Sequence, residues 1–189
     1  LGPAPKEMIA GVPAHVDGRM IAISEAAGGN VINGDRMWHY TEGVKNWDPI
    51  WPAHGIRILP GPSSMWFDAT GKRFAPPNLP GFDSMTSLRE ILATGYDYSW
   101  FVLSQKIIEK EFALLGSEQN PDLTSGKWLE VIKARLLSGG GAPKPVQAFM
   151  ENDENFVVTQ TLEELVAGMN KIGDDDLIDV EKLRAQIVA

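Results

Sequence analysis

The sequence predicts an α+β fold, because its helix-like and strand-like segments follow one another without the regular alternation that builds a parallel sheet. Two observations carry this. Apolar residues recur at helical spacing in separated blocks, as with Val16, Met20, Ile23 and Ala27. Between the blocks lie short strand-like runs such as "SSMWFDATGKRF" (Ser63 to Phe74), where Met65 and Phe67 alternate with Trp66 and Asp68. At 189 residues, 43% hydrophobic and 22% charged, the composition is that of an ordinary globular domain. A chain of this length can bury about 70% of its unfolded surface.

Taken in order, Val12 to Gly29 reads as a helix with Asp17 in its first turn and Gly28 and Gly29 as its stop. "NVIN" (Asn30 to Asn33) reads as a short strand. From Asp35 to Pro62 the chain is aperiodic and Pro-rich, yet it holds three of the six Trp and two of the three His. A loop this long and this rich in aromatic and ionisable groups points to function. Ile56 to Leu59 and Ser64 to Asp68 are short strands, and "DATG" supplies a tight turn in which Gly71 tolerates positive φ. The stretch reads as an ordinary hairpin.

"APPNLPGFD" (Ala75 to Asp83) is a loop, and a helix capped by Asp83 or Ser84 runs on to Gly95. Tyr98 to Ser104 is a nearly continuous apolar run, predicted as a buried strand. Helices are predicted over Gln105 to Gly116, Ser125 to Gly141 and Lys144 to Asn152, with a strand over Asn155 to Gln160. "TLEELVAGMNKIG" then opens on Thr161 with Glu164 three residues on, a capping box. No internal repeat is found.

Charge and motif content exclude several functions. The formal net charge is −8, with acidic residues gathered in "DDDLIDVE" (Asp174 to Glu181), which argues against nucleic acid and anionic membranes as partners. A solvated acidic surface is the simpler meaning of that run. Zero cysteines exclude disulfides, thiol nucleophiles and Cys-ligated metals. No run approaches the ~18 apolar residues of a membrane helix, and no signal peptide opens the chain, which favours the cytoplasm. His15, His39 and His54 lack metal-ligand spacing, so no metal is expected. There is no G-x-G-x-x-G, no P-loop and no G-x-S-x-G elbow, and "SGGGAP" follows a helix as a stop. The sequence opens "LGPAPKEM" without an initiator Met and closes "VEKLRAQIVA", as an internal fragment of a longer protein would.

Within the aromatic loop, extended backbone would put His39 and Thr41 on one face. A histidine and a hydroxyl side by side can bind or protonate an anionic or carbonyl oxygen, with Arg57 and Arg89 supplying positive charge. The competing reading is that Trp38, Trp47 and Trp51 pack the loop onto the body and His39 is merely hydrogen-bonded. Spacing alone favours that second reading.

Three motifs in order resemble the fumarate reductase/succinate dehydrogenase/3-ketosteroid Δ1-dehydrogenase flavoproteins: "HVDGRMIAISEAAGGNVIN", "SSMWFDATGKRF" and "FVVTQTLEELVAGMNKIG". The texts "WHYTEG", "DYSWFVL" and "EKEFALLGSEQNPDL" look most like the "FAD-binding dehydrogenase" branch near the ketosteroid enzymes. The resemblance covers most of the chain. It implies an FAD-dependent oxidoreductase whose dinucleotide fingerprint lies outside this stretch. Residues 1–34 would be a piece of the FAD-binding domain, and residues 35–189 a mixed cap domain covering the substrate.

Asp17 and Gly18 match the family's FAD-contacting "GDG", with Val16 in place of its first Gly. His39 and Thr41 match a substrate-binding His-Pro-Thr, with Tyr40 in place of Pro. "APP" replaces the family's "vnE" after "GKRF". These departures turn the expectation from a dicarboxylate toward a bulkier apolar substrate, a cyclic ketone or steroid-like molecule. Tyr40 is then the first candidate for proton transfer and Tyr98 the second, although packing is the stronger reading of Tyr98. The implied partners are a small-molecule substrate and the rest of the FAD-binding domain of the same chain. The isolated fragment would hold FAD weakly or not at all, and its cut face could pair artificially with a second copy. The alternative is a non-enzymatic α+β module that binds ligand or protein through the Trp-rich loop. The two differ in whether the apolar faces at Val16 to Ala27 and Ile178 to Val188 find partners within the chain.

Overall fold

In a computed structural model of the chain, the structure describes residues 8–34, 39–81, 83–115, 126–129, 132–133 and 141–188. The helix predicted over Ser125 to Gly141 lies largely outside these residues. The expected α+β composition is present. Two small sheets each carry their own apolar cluster.

The first sheet has the order β1-β2-β5, from β1 (Gly43–Lys45), β2 (Gly55–Leu59) and β5 (Ala113–Leu115). Both pairings are antiparallel, with Gly43 opposite Arg57 and Leu59 opposite Ala113. Alternation along "GIRIL" turns Ile56 and Ile58 into the core and leaves Arg57 half-buried on the other face. Beneath the sheet, Ile56, Ile58, Phe112 and Leu114 meet Ile108 of α3 (Gln105–Lys110) and Val146 and Phe149 of α4 (Lys144–Asn152).

The second sheet pairs β3 (Met65–Asp68) with β4 (Ser99–Val102), antiparallel, Phe67 opposite Trp100. Phe67 packs with Val166 and Met169 of α5 (Leu162–Gly173), Leu183 of α6 (Val180–Val188) and Ile178 between them. Thr161 caps α5 as predicted, its Oγ1 accepting from the Glu164 N–H at 3.2 Å. The Asn170 side chain clamps the α5–α6 connection, donating to Ile178 O and accepting from Ile178 N, both at 3.0 Å.

The turn at "DATG" forms around Asp68, whose Oδ1 accepts from Thr70 N, Thr70 Oγ1 and Lys72 N; Gly71 adopts φ 79°. The chain returns by a single bridge, Phe67 to Arg73, so β3 finds its full partner in β4 rather than in a second hairpin arm. Gln186 of α6 holds the return, accepting from Arg73 N at 2.7 Å and donating to Gly71 O at 2.8 Å.

Asp83 caps α2 (Ser84–Ala93), accepting from Thr86 N at 2.8 Å and Thr86 Oγ1 at 2.6 Å, and Gly95 ends it at φ 87°. Three expectations are corrected. The helix predicted over Gln105 to Gly116 stops at Lys110, because residues 113–115 pair with the open edge of β2 and bury Phe112 and Leu114. Helix propensity there yields to tertiary pairing. Asn30 to Asn33 and Asn155 to Gln160 are not strands. Ile32 is 73% exposed, and Phe156 serves the first core as a single side chain.

The helix α1 (Arg19–Ala26) is shorter than predicted and begins after Gly18. It contains no buried residue. Val16, Met20, Ile21 and Ile23 all lie exposed. By contrast Ile178 and Leu183 are core residues. The two apolar faces therefore differ: the C-terminal one is satisfied within the chain and the N-terminal one is not. Residues 9 and 10, before the predicted domain boundary at 34, are tied to the first sheet by a bridge between Ala10 and His54 and by Ile9 packed on Gly55.

Candidate functional site

The chain from His39 runs straight into β1. His39 Nε2 lies 3.3 Å from the Ser84 carbonyl, which fixes Nε2 as the donor and ties the loop to the start of α2. Thr41 Oγ1 is buried with no hydrogen-bond partner among the described residues.

Tyr40 packs against Arg57. The Arg57 guanidinium carbon lies 3.8 Å from the centroid of its ring, a cation–π contact. Glu42, two residues on, approaches the same arginine, with Oε2 3.9 Å from Arg57 Nη2. That separation is an ion pair without a hydrogen bond. Among the described residues, Glu42 Oε2 and Arg57 Nε are both buried and without hydrogen-bond partners. Arg57 thus contacts both Tyr40 and Glu42. Sequence reasoning passed over Glu42, although the alternation that grouped His39 with Thr41 also groups Tyr40 with Glu42.

The remaining candidates stand elsewhere. Arg89 is exposed on α2. Asp83 is held below the usual carboxylate range chiefly by the Thr86 hydroxyl and N–H, with a small contribution from the Arg89 charge. Tyr98 donates to Asp175 Oδ2 at 3.1 Å. Burial first, then that bond and the Asp175 charge, push its phenol well above its ordinary pKa, so it stays protonated against the α5–α6 connection. Asp17 precedes α1 and is locked to Arg19 through its side chain and backbone N–H, which lowers its pKa. Gly18 has φ 80°, and a Cβ placed there would meet only Ile21 Cδ1 at 3.9 Å. An exposed carboxylate beside open backbone at the start of an uncovered helix suits the hydroxylated chain of a bound FAD.

The Trp-rich loop is partly a packing device. Trp51 donates to Ala10 O at 3.0 Å and lies 3.7 Å from His54 between ring centroids. His54 is buried, with Nδ1 accepting from Ile50 N at 3.2 Å and lying 3.0 Å from Asn46 Nδ2. Trp47 is exposed, and Trp38 lies outside the described residues. Among the described residues, no three His, Asp or Glu side chains gather to hold a metal. No helix among them is long and apolar enough to cross a membrane.

The family described as "FAD binding domain" matches residues 1–188. The match passes residue 34 without a break, so residues 35–188 fall under the FAD-binding family, where the sequence predicted a cap domain. Among curated proteins, a KsdD-like steroid dehydrogenase of Mycobacterium tuberculosis strain CDC 1551 is 55% identical over 189 residues, covering 100% of this chain and 33% of the relative. Those of M. tuberculosis strain H37Rv and Mycolicibacterium smegmatis are each 54% identical over 100% of this chain, covering 33% and 34% of their lengths. The chain spans about a third of the length of the curated relatives it matches. No solved structure matches it. The uncovered helix behind Asp17 and Gly18 and a match running through residue 188 agree: the chain belongs to the FAD binding domain family of flavoproteins.

Proposed function

We propose that this chain forms the substrate-facing part of an FAD-dependent dehydrogenase acting on a steroid-like or other cyclic ketone. The observation that carries this reading is the Tyr40–Arg57–Glu42 cluster, a phenol held against a cation whose charge a buried carboxylate already balances. A dicarboxylate needs an unspent cation, and Arg57 offers none; a neutral ketone needs a proton acceptor and a hydrogen-bond donor. The names of the relatives support a steroid.

Bound FAD supplies a two-electron acceptor. Tyr40, as phenolate, is the group that takes the proton from the carbon next to the one that gives up hydride, at its phenolic oxygen, and the Arg57 stack fixes its ring. The partnerless Thr41 hydroxyl is suited to donate to the ketone oxygen. His39, its Nε2 occupied by Ser84 O, holds the loop to α2. Asp17 and Gly18 would hold FAD.

The test is the visible spectrum of the full-length protein, followed by reduction of an artificial electron acceptor with a 3-ketosteroid or with succinate. Flavin bands and turnover with the steroid alone are expected. Absence of flavin, or turnover with succinate instead, overturns the reading.

A further inference from the structure

We propose that Glu42 is a positioning residue of the candidate site, its buried carboxylate holding the Arg57 guanidinium over the Tyr40 ring; its catalytic meaning rests on the reading of Tyr40 given above. Arg57 belongs to β2, where strand alternation turns it away from the core and leaves its side chain 26% exposed. An arginine so placed could extend into solvent. It lies instead 3.8 Å over the Tyr40 ring. The Glu42 side chain is only 4% exposed, with its Oε2 3.9 Å from Arg57 Nη2.

Backbone geometry makes this fixed. Glu42 O accepts from Ile58 N at 2.8 Å, and Gly43 pairs with Arg57, so Glu42 cannot shift along β2. A buried carboxylate is stable only beside a compensating charge, and Arg57 supplies one at 3.9 Å. The pair is long at 3.9 Å and leaves Glu42 Oε2 and Arg57 Nε unbonded. It therefore works by charge and not by a hydrogen-bonded fork, and the planar face of the arginine stays available to the ring.

The test uses the full-length protein with 3-fluorotyrosine placed at position 40. Its fluorine resonance is compared in the parent, Glu42→Gln, Glu42→Asp, Arg57→Lys and the Gln/Lys double variant. Glu42→Gln keeps the shape and removes the charge; Arg57→Lys keeps the charge and removes the planar face. Both are expected to shift the resonance, Glu42→Asp to shift it less, and the double variant to add nothing to the larger single effect, as coupled residues do. Where the protein turns over a 3-ketosteroid, Glu42→Gln should also lower kcat about tenfold with KM little changed. An unmoved resonance in folded Glu42→Gln and Arg57→Lys overturns the proposal, as does additivity in the double variant. If no ketone is turned over, the proposed function fails, while the fluorine spectrum still decides whether Glu42 positions the ring.

Discussion

The Arg57 guanidinium carbon lies 3.8 Å from the centre of the Tyr40 ring, and this contact decides how the loop before β1 is divided. Tyr40 and Glu42 both contact Arg57, while the buried Thr41 hydroxyl has no hydrogen-bond partner among the described residues. A stacked cation orients an aromatic ring and leaves its edge, with the phenolic oxygen, open to a ligand. Tyr40 is 43% exposed, whereas the Tyr98 hydroxyl is held by Asp175.

Replacing Tyr40 with Phe keeps the ring and its stack but removes the oxygen. In the full-length protein the expected outcome is a fall in kcat of about 10²- to 10⁴-fold, the usual contribution of one general base. Flavin content and melting temperature should be unchanged. Wild-type turnover in Tyr40→Phe would remove Tyr40 from the mechanism and leave its ring as packing.

Asp153 gives a pH prediction. It is buried at the end of α4, its Oδ1 accepting from Asn155 N at 2.8 Å and Asn155 Nδ2 at 3.1 Å. Burial raises its pKa from 3.8 against the opposing pull of those bonds. The folded state therefore binds this proton more tightly than the unfolded one, and the group costs stability as pH rises from about 4 through its raised folded value. Asn at 153 can accept the same two bonds without charge. Denaturation midpoints of Asp153→Asn and parent should coincide near pH 4, and the variant should gain relative to the parent toward pH 7. A constant difference across that range would mean the carboxyl titrates as it does unfolded.

What could be read in advance follows a physical line. The caps at Asp83 and Thr161 and the turn at Asp68 to Gly71 were legible because side chain and partner lie within a few residues. The strand at Ala113 to Leu115 was not, because "EKEFALL" has helical composition and only the open edge of β2 makes it a strand. Asn155 to Gln160 failed in the opposite sense, with strand composition but no strand formed, Phe156 packing instead as a single side chain on the first core. At the site, the concentration of aromatic and ionisable groups marked the loop, and alternation marked His39 and Thr41. Glu42 stayed hidden because its meaning comes from Arg57, which the β1–β2 pairing brings to it.

Gly168, in the middle of α5, looks like a weak point in a helix, since Ala there would ordinarily gain about 1 kcal/mol. Yet a Cβ at 168 would collide with Val157 Cγ1, and a β-branched side chain has little rotamer freedom to move aside. Overpacking of this kind costs about 1–3 kcal/mol. Gly168→Ala should therefore destabilise the chain by about 1 kcal/mol net in urea unfolding. A gain in stability would show that the 155–160 segment is held only loosely against α5.

The contrast between the two apolar faces gives the last prediction. Leu183 is 0% exposed in the second core, whereas Ile23 on α1 is 54% exposed and packs into neither cluster. Truncation of a buried leucine removes transfer free energy and leaves a cavity, about 2–5 kcal/mol. Truncation of a solvated isoleucine removes nothing the chain has buried, and the change should stay within about 0.5 kcal/mol. In the 189-residue chain alone, Leu183→Ala should lower the unfolding midpoint strongly and Ile23→Ala should leave it in place. In the full-length protein, Ile23→Ala should become costly, because the apolar face of α1 then has a partner to lose. Equal small effects of Ile23→Ala in both proteins would mean that α1 stays solvated even in the complete protein, and the case for a covered FAD-side helix would fall with it.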